Sequence, residues 1–466
     1  MIPLSLAEVA AAVGGTLRDV PDPAARVTGD VELDSRRIGP GGLFVALAGE
    51  RVDGHDHAAA AVAAGAAGVL AARPVGVPAV LVPDVRDALG ALAAAVLARL
   101  PGLAVVGVTG SSGKTSTKDL LAQLLAELGP TVAPPGSFNN EIGHPYTVLR
   151  STAATRYLVL EKSMRGIGHI AALTRIARPR IGVVLNVGSA HVGELGSREN
   201  IARAKGELVE ALPADGLAVL NADDPYVRAM AARTAARVVT VGLAPDADVR
   251  ATGVRLDGHG VPSYRLVTAA AEVPVTLAVH GAHQVGNSLA AAAVALELGM
   301  SPEHAAAALG RARPLSRWRM EVTERADGVL LVNDAYNANP ESMAAALRAL
   351  TTMARGRRSW AVLGAMAELG GTAAEEHARV GALAAELAVD RVLVVGPDAR
   401  PTHEAAGPDR SAHVPDVEAA VALLRAELRP QDVVLVKASR SAGLERVVAA
   451  LADPPVAAPA AGGAAR

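Results

Sequence analysis

The chain contains no cysteine. Disulfides, thiolate metal centres and cysteine nucleophiles are therefore excluded. Aromatic residues are scarce, at 2% against 51% hydrophobic residues, so alanine, valine and leucine must build the core. Neither charge is in excess: 45 basic and 47 acidic residues leave a formal net charge of −2. Such a balance argues against a nucleic-acid or anionic-membrane partner recognised through bulk charge. Long apolar runs are missing too. The alanine-rich windows at 58–72 and 88–100 are interrupted by glycine or arginine, whereas a membrane-spanning helix needs about 20 predominantly apolar residues in a row. The opening M-I-P-L-S-L-A-E-V lacks the charged and long apolar regions of a secretory signal. A cytoplasmic protein without membrane insertion is expected.

What is present is concentrated in one stretch. Residues 107–117 read G-V-T-G-S-S-G-K-T-S-T. An apolar run, 103–108, leads in, and a helical pattern, 118–128, leads out. A glycine-rich turn between strand and helix gathers free backbone N–H groups at a helix N-terminus, which is a phosphate cradle. The cradle residues are Gly110, Ser111, Ser112, Gly113, Lys114, Thr115 and Ser116. Lys114 adds a charge within reach of the outer phosphates, and the Thr115 hydroxyl is placed to bind Mg²⁺. The common phosphate-loop spacing would need glycine at 108, where Val108 stands. The compact T-G-x-x-G-K-T form points to a subset of nucleotide enzymes.

With 466 residues the chain has room for about three domains of roughly 150 residues each. A first unit, 1–100, mixes short β-like runs (27–33, 43–47, 68–71, 79–82) with alanine-rich helices. Pro101-Gly102 is a natural joint. The second unit, 101–313, alternates apolar strands (105–108, 158–160, 181–185, 217–220, 238–241) with helices, which predicts a parallel sheet covered on both faces. A β-rich excursion, 249–279, precedes a helix over 284–298. The third unit, 314–452, repeats the alternation with strands at 329–332, 359–363, 391–395 and 433–436. The Pro/Ala/Gly-rich tail, 453–466, reads as disordered. The fold class is α/β throughout.

Two strand ends next to the loop carry candidate chemistry. Glu161 closes one strand at the sheet edge where ligands bind in open α/β folds. A carboxylate beside a phosphate loop is a candidate Mg²⁺ ligand. His191 follows the strand at 181–187 and can bind a metal or stabilise charge. Lys205 lies in an amphipathic helix, 199–212, where a solvated lysine is the ordinary expectation. His55 and His57 read as loop residues, and Trp318 and Trp360 as packing residues.

Taken together, these stretches resemble the Mur ligases, the ATP-dependent amino-acid ligases of peptidoglycan synthesis. T-G-S-S-G-K-T-S at 109–116 resembles the ATP loop of that family. N-V-G-S-A-H at 186–191, A-K-G-E-L at 204–208 and G-A-H-Q-V-G-N-S-L-A-A-A at 281–292 are similar to its central-domain motifs. N-D-A-Y-N-A-N-P-E-S-M at 333–343 is the most specific match. F-N-N-E-I-G at 138–143 is similar to the stretch that marks the dipeptide-adding member. L-D-S-R at 33–36 and L-F-V-A-L-A-G-E-R-V-D-G-H-D at 43–56 are similar to a UDP-sugar-binding domain.

The resemblance implies a central P-loop ATPase-like domain between an N-terminal UDP-substrate domain and a C-terminal Rossmann-like domain. It implies ATP, two Mg²⁺ ions, and ligation of D-alanyl-D-alanine to UDP-MurNAc-tripeptide by a monomeric enzyme. Lys114 and Thr115 would hold ATP and the first Mg²⁺, and Glu161 and His191 would hold metal. Lys205 matches a lysine that is carbamylated in many family members, so its carbamate would be a further metal ligand. Asn287 would approach the adenine, with Arg319 and Asp334 reaching ATP from the third unit. Asn139, Asn140, Tyr336 and Asn337 would lie near substrate, and Ser35 and Arg36 at the UDP end. The member adding the third amino acid is the alternative within the family. No D-N-P-R motif of that enzyme occurs in the third unit. From another class, a nucleotide-dependent switch without ligase chemistry would need neither the Glu161–His191–Lys205 set nor a sugar-binding unit. Lys162 departs from the family, which usually has an apolar residue after the glutamate, and is expected to bear on activity.

Overall fold

The computed structural model describes residues 1–49, 52–188 and 192–452. Its centre is a nine-stranded sheet. The strand Ala104–Thr109 lies third from one edge, between Tyr157–Glu161 on one side and Ile181–Val184 on the other, both parallel to it. Leu217–Asn221, Arg237–Gly242 and Val249–Leu256 continue the parallel run on the Ile181 side. The excursion at 249–279 then adds Pro262–Val267 and Glu272–Thr276 antiparallel at that edge. The sheet is therefore mixed, with a parallel core.

Alternate residues of the central strands serve two different cores, as a period of two requires. Val106 and Val108 pack with Leu120, Leu121, Leu124 and Leu125 and with the alanine-rich helix His283–Glu297. Val105, Leu158 and Leu160 face the other way, into a core built largely from the N-terminal unit, including Leu70, Leu89, Leu92 and Val96. The N-terminal unit and the central sheet thus share one apolar core across the Pro101-Gly102 joint. Alanine, valine and leucine dominate these cores, and Phe44 and Trp360 are the aromatics among the largest fully buried side chains.

The N-terminal unit holds a five-stranded sheet and a two-stranded ribbon. The run expected over 27–33 divides between them, as Arg26–Val27 and Val31–Glu32. The Thr28 and Gly29 amides both bond to Gly41 O at 2.9 Å, which turns the chain from one sheet to the other. The C-terminal unit has a six-stranded sheet. Its last strand, Val433–Lys437, inserts between Leu330–Asn333 and Ser359–Leu363. The edge strands Glu321–Glu324 and Ser411–Val414 are too polar to stand out in the sequence.

Candidate active site

Three parallel strands end side by side, and their ends build the site. Register pairs Glu161 with Val108 and Val184 with Thr109. The loop after Thr109 therefore sits between Glu161 and Asn186. Asn186 brackets it: its backbone carbonyl accepts Ser111 N at 3.1 Å, and its side-chain carbonyl accepts Ser112 N at 2.9 Å. The helix Lys114–Ala126 starts four residues earlier than the apolar pattern suggested, because Gly113 takes a left-handed φ of 82° at the N-cap. A Cβ there would lie 2.4 Å from Asn287 Oδ1, so only glycine lets the Asn287 amide seat on the loop.

The first amides of that helix have no intrahelical carbonyl to bond, and no side chain caps them. They face a cleft of about 340 Å³, within the range of small-molecule sites. Lys114 stands at this positive end, its Nζ donating to Gly110 O at 2.7 Å. Desolvation pulls its amine below the usual lysine range, and the Glu161 carboxylate opposes that shift. A triphosphate at the same spot would keep it charged. Arg319 crosses from the C-terminal unit and donates to Thr115 Oγ1 and Ser137 Oγ, both at 3.2 Å. Its guanidinium lies over the Tyr336 ring. Its Nε is buried without a hydrogen-bond partner among the described residues, which fits an anionic ligand in the cleft.

Glu161 is the junction of the site. One oxygen accepts from Thr115 Oγ1 at 3.0 Å, the other from Asn139 Nδ2 at 2.7 Å. Ser137 Oγ is 2.8 Å from Thr115 Oγ1. A buried carboxylate surrounded by hydroxyl and amide groups is an oxygen donor set suited to a hard cation such as Mg²⁺, which is commonly bound through one or two carboxylates plus substrate phosphates. Among the described residues no three His, Asp or Glu side chains form a metal-binding group. His191 lies outside the described residues.

Of the other expected residues, Ser111, Ser112, Ser116, Asn140, Asn287, Asp334, Tyr336 and Asn337 all line this cleft. Asp334 pairs with buried Lys437, Nζ to Oδ2 at 2.6 Å. Burial pulls the Lys437 amine below the usual lysine range despite the carboxylate. Lys205 is not among the lining residues. It is 2% exposed, against the solvated lysine that helix periodicity suggested. Burial first, and then the charge of Lys114, hold its amine well below the usual range, with Glu341 opposing. Ser35 and Arg36 also stand apart from the cleft, and Arg36 is exposed, forked onto Asp34. Their segment connects to the helix Gly143–Val148, which follows Asn139 and Asn140, through Glu32, which accepts from Tyr146 Oη at 3.1 Å. His55 is structural, held between Asp53 and the Ala72 amide. Trp318 is not a core residue: it is partly exposed beside Tyr336, under the Arg440 guanidinium.

Several contributors escaped sequence reading. Ser137 and Lys437 are polar residues with no local motif of nucleotide chemistry, and Asn339, whose Nδ2 donates to Ser111 O at 3.3 Å, lies in the 333–343 stretch but has no role implied for it there. The position of Lys437 at a parallel strand end was the available signal.

Lys162 points away from the cleft, because neighbours on a strand face opposite sides. It is fully buried, and its Nζ bonds to His144 Nε2 at 3.3 Å, Leu173 O at 3.2 Å and Ala177 O at 3.3 Å. Two of these acceptors are carbonyls at the C-terminal end of the helix His169–Ile176, where a cation is favoured, but burial outweighs this and pulls the Lys162 amine well below the usual lysine range. These contacts place Lys162 outside the cleft and favour a structural role, which a variant can test against the expected bearing on activity. Lys162→Met is expected to leave kcat within about twofold and to cost roughly 1–2 kcal/mol of stability, because it orphans a buried ring nitrogen. Thermal unfolding and steady-state rates check both; a collapsed kcat in a folded variant refutes the structural reading.

A glycine-rich loop, a strand-end carboxylate and an arginine from a second α/β unit define a nucleotide-dependent enzyme, and family comparison refines the class. The Mur ligase middle domain matches residues 108–295, the Mur ligase glutamate ligase domain 318–440, and the Mur ligase family catalytic domain 29–101. The chain belongs to the Mur ligase family. It is 56% identical to the UDP-N-acetylmuramoyl-tripeptide–D-alanyl-D-alanine ligase of Mycobacterium tuberculosis, over 97% of this chain and 98% of that protein. Identity to the ligase of the same name from Escherichia coli is 37%, over 97% and 99%. Among solved structures, MurF from Acinetobacter baumannii is similar with a TM-score of 0.87, at 30% identity over 97% and 99% of the two chains. MurF ligase from Thermotoga maritima in complex with ADP has a TM-score of 0.79, at 32% identity over 91% and 97%. No helix among the described residues is long and apolar enough to cross a membrane.

Proposed function

We propose that this chain is an ATP-dependent ligase that joins D-alanyl-D-alanine to UDP-N-acetylmuramoyl-tripeptide, giving the pentapeptide precursor of peptidoglycan. The observation that carries the reading is Glu161, which bonds at once to Thr115 on the nucleotide side and Asn139 on the substrate side. One carboxylate thereby ties the triphosphate end to the acceptor end. The tripeptide carboxylate attacks the γ-phosphorus of ATP, ADP leaves, and an acyl phosphate results. The dipeptide amine then attacks the carbonyl carbon, loses a proton, and expels phosphate.

The difficulty is the approach of two anions. The helix N-terminus, Lys114 and Arg319 supply fixed positive charge where negative charge gathers. Thr115 and Glu161 would hold Mg²⁺, and His191 with Lys205 as a carbamate would hold a second ion. Magnesium there would screen the triphosphate and stabilise charge on the leaving oxygens. Asn139, Asn140, Tyr336 and Asn337 would orient the tripeptide and Asn287 the nucleotide, while Asp334 positions Lys437. Ser35 and Arg36 would bind the UDP end. The units 1–100, 101–313 and 314–452 would take one ligand each. Closure of the last over ATP would exclude water from the acyl phosphate. We place this activity in a cytoplasmic monomer.

Phosphate release from ATP tests the reading. It is expected to require UDP-MurNAc-tripeptide and D-alanyl-D-alanine together and to fall to background when either is omitted. Release that ignores both substrates refutes it, and release with a UDP-MurNAc-dipeptide and a single amino acid would favour the alternative member of the family.

A further inference from the structure

The helix Lys114–Ala126 has a second task besides presenting Lys114 and Thr115. Thr115, Asp119 and Gln123 are spaced four apart and share one face. Each bonds to the segment that leads into the C-terminal unit. Gln123 brackets Arg313, donating to its carbonyl at 2.8 Å and accepting its N–H at 2.9 Å. Asp119 Oδ2 accepts the Leu315 and Ser316 amides at 3.1 and 2.8 Å, and Oδ1 accepts the Ser316 hydroxyl at 3.1 Å. Thr115 receives Arg319. The linker thus runs along the helix towards the phosphate loop, held at each turn.

Lys118 completes the device. It pairs with Asp119 at 2.5 Å and donates to Ser316 Oγ at 3.2 Å and Pro134 O at 3.0 Å. Pro134 lies three residues before Ser137, the other hydroxyl that Arg319 touches. Lys118, Asp119 and Ser316 are 2%, 3% and 5% exposed. A buried ion pair is tolerated when its remaining protons and lone pairs are bonded, as they are here. Directly after the held segment the chain turns through two non-glycine residues with left-handed φ, Trp318 at 60° and Met320 at 51°. Arg319 sits between them. Its reach into the cleft is therefore set by where residues 313–316 are anchored.

We propose that Asp119, supported by Lys118, Gln123 and Ser316, is a positioning residue for the ATP step. It touches no reacting atom and acts through Arg319, whose place against Thr115 and Ser137 it determines. The inference rests on the reading of the cleft as the ATP site.

The test begins with the wild-type chain, by binding of a non-hydrolysable ATP analogue and substrate-dependent phosphate release. Failure of both overturns the ATP-site reading and the positioning role with it. Asp119→Asn disturbs a buried ion pair and is compared only after its thermal midpoint is measured. The milder double variant Gln123→Ala/Ser316→Ala keeps that pair. It is expected to fold, to lower kcat about tenfold through a small misplacement of Arg319, and to leave KM for UDP-MurNAc-tripeptide within twofold. Added to Arg319→Ala, it is expected to cost no more than about a further twofold, because both changes remove one interaction. A merely structural role would lower active fraction and stability while leaving the rate per folded molecule unchanged. Wild-type kcat in the folded double variant, or a full tenfold loss repeated on the Arg319→Ala background, overturns the proposal.

Discussion

Replacing Lys114 by alanine is expected to lower kcat for coupled phosphate release by about 10³-fold, the scale on which removal of one preorganised charge-stabilising group acts. The protein should stay folded. The Lys114 Nζ bonds to a single backbone carbonyl, Gly110 O, and the alanine keeps the helix start. With ATP bound as proposed, the loss would arise because the transferred phosphoryl group would carry its charge on oxygens beside this amine, with little covalent work left for the protein. Lys114→Arg is expected to restore little: a planar fork is wider than the point charge that the loop encloses. Stopped assays of phosphate with both acceptor substrates present measure the effect. A folded Lys114→Ala enzyme within tenfold of wild type would falsify the assignment of this cleft to the triphosphate.

The second large effect concerns Lys205. Lys205→Ala is expected to reduce kcat by about 10²-fold or more, the scale of a lost ligand-shell group at a metal site. Burial, and then the charge of Lys114, pull the Lys205 amine well below the usual lysine range, a shift towards the uncharged form. An uncharged amine can take up CO₂, and the resulting anion would exchange repulsion from Lys114 for attraction. Wild-type enzyme freed of dissolved CO₂ should therefore slow and recover when bicarbonate is returned, while Lys205→Ala should respond to neither treatment. Full activity of the alanine variant would discard the carbamate. Full activity of CO₂-free wild type would instead leave a plain buried lysine acting on Lys114.

These two lysines show how differently parts of the site can be read from a linear chain. Lys114 was legible because its chemistry is local. Four consecutive features, an apolar strand, a tight glycine turn, a lysine and a hydroxyl, form a recognisable phosphate-loop pattern. Glu161 was partly legible, since a carboxylate that ends an apolar run sits at a known edge of a parallel sheet. Lys205 was not legible from its own helix, where polar neighbours suggested solvent. Its burial depends on packing against other elements that periodicity does not show. Lys118 and Asp119 follow the same rule. They look like ordinary polar residues of a helix, yet they are buried because the 313–316 linker crosses that face.

Resemblance to a family implies roles for residues whose own chemistry leaves them open, and it also marks Lys162 as a departure near the site. The alternation of side chains along a strand carries that residue to the far face, into contact with His144 and a helix end. Sequence proximity to Glu161 therefore says nothing about chemical proximity.

The sequence alone determined the α/β class, the three-part organisation, the nucleotide loop and the exclusion of cysteine chemistry. Each follows from composition, period or contiguous residues, which are properties of a chain before it folds. Only the tertiary structure decided which strand ends meet. The Ala104–Thr109 strand is inserted between two strands that come later in the chain, so Thr115 meets Glu161 across 46 residues and Arg319 across 204. Such meetings are set by sheet order and linker anchoring, and no local pattern encodes them.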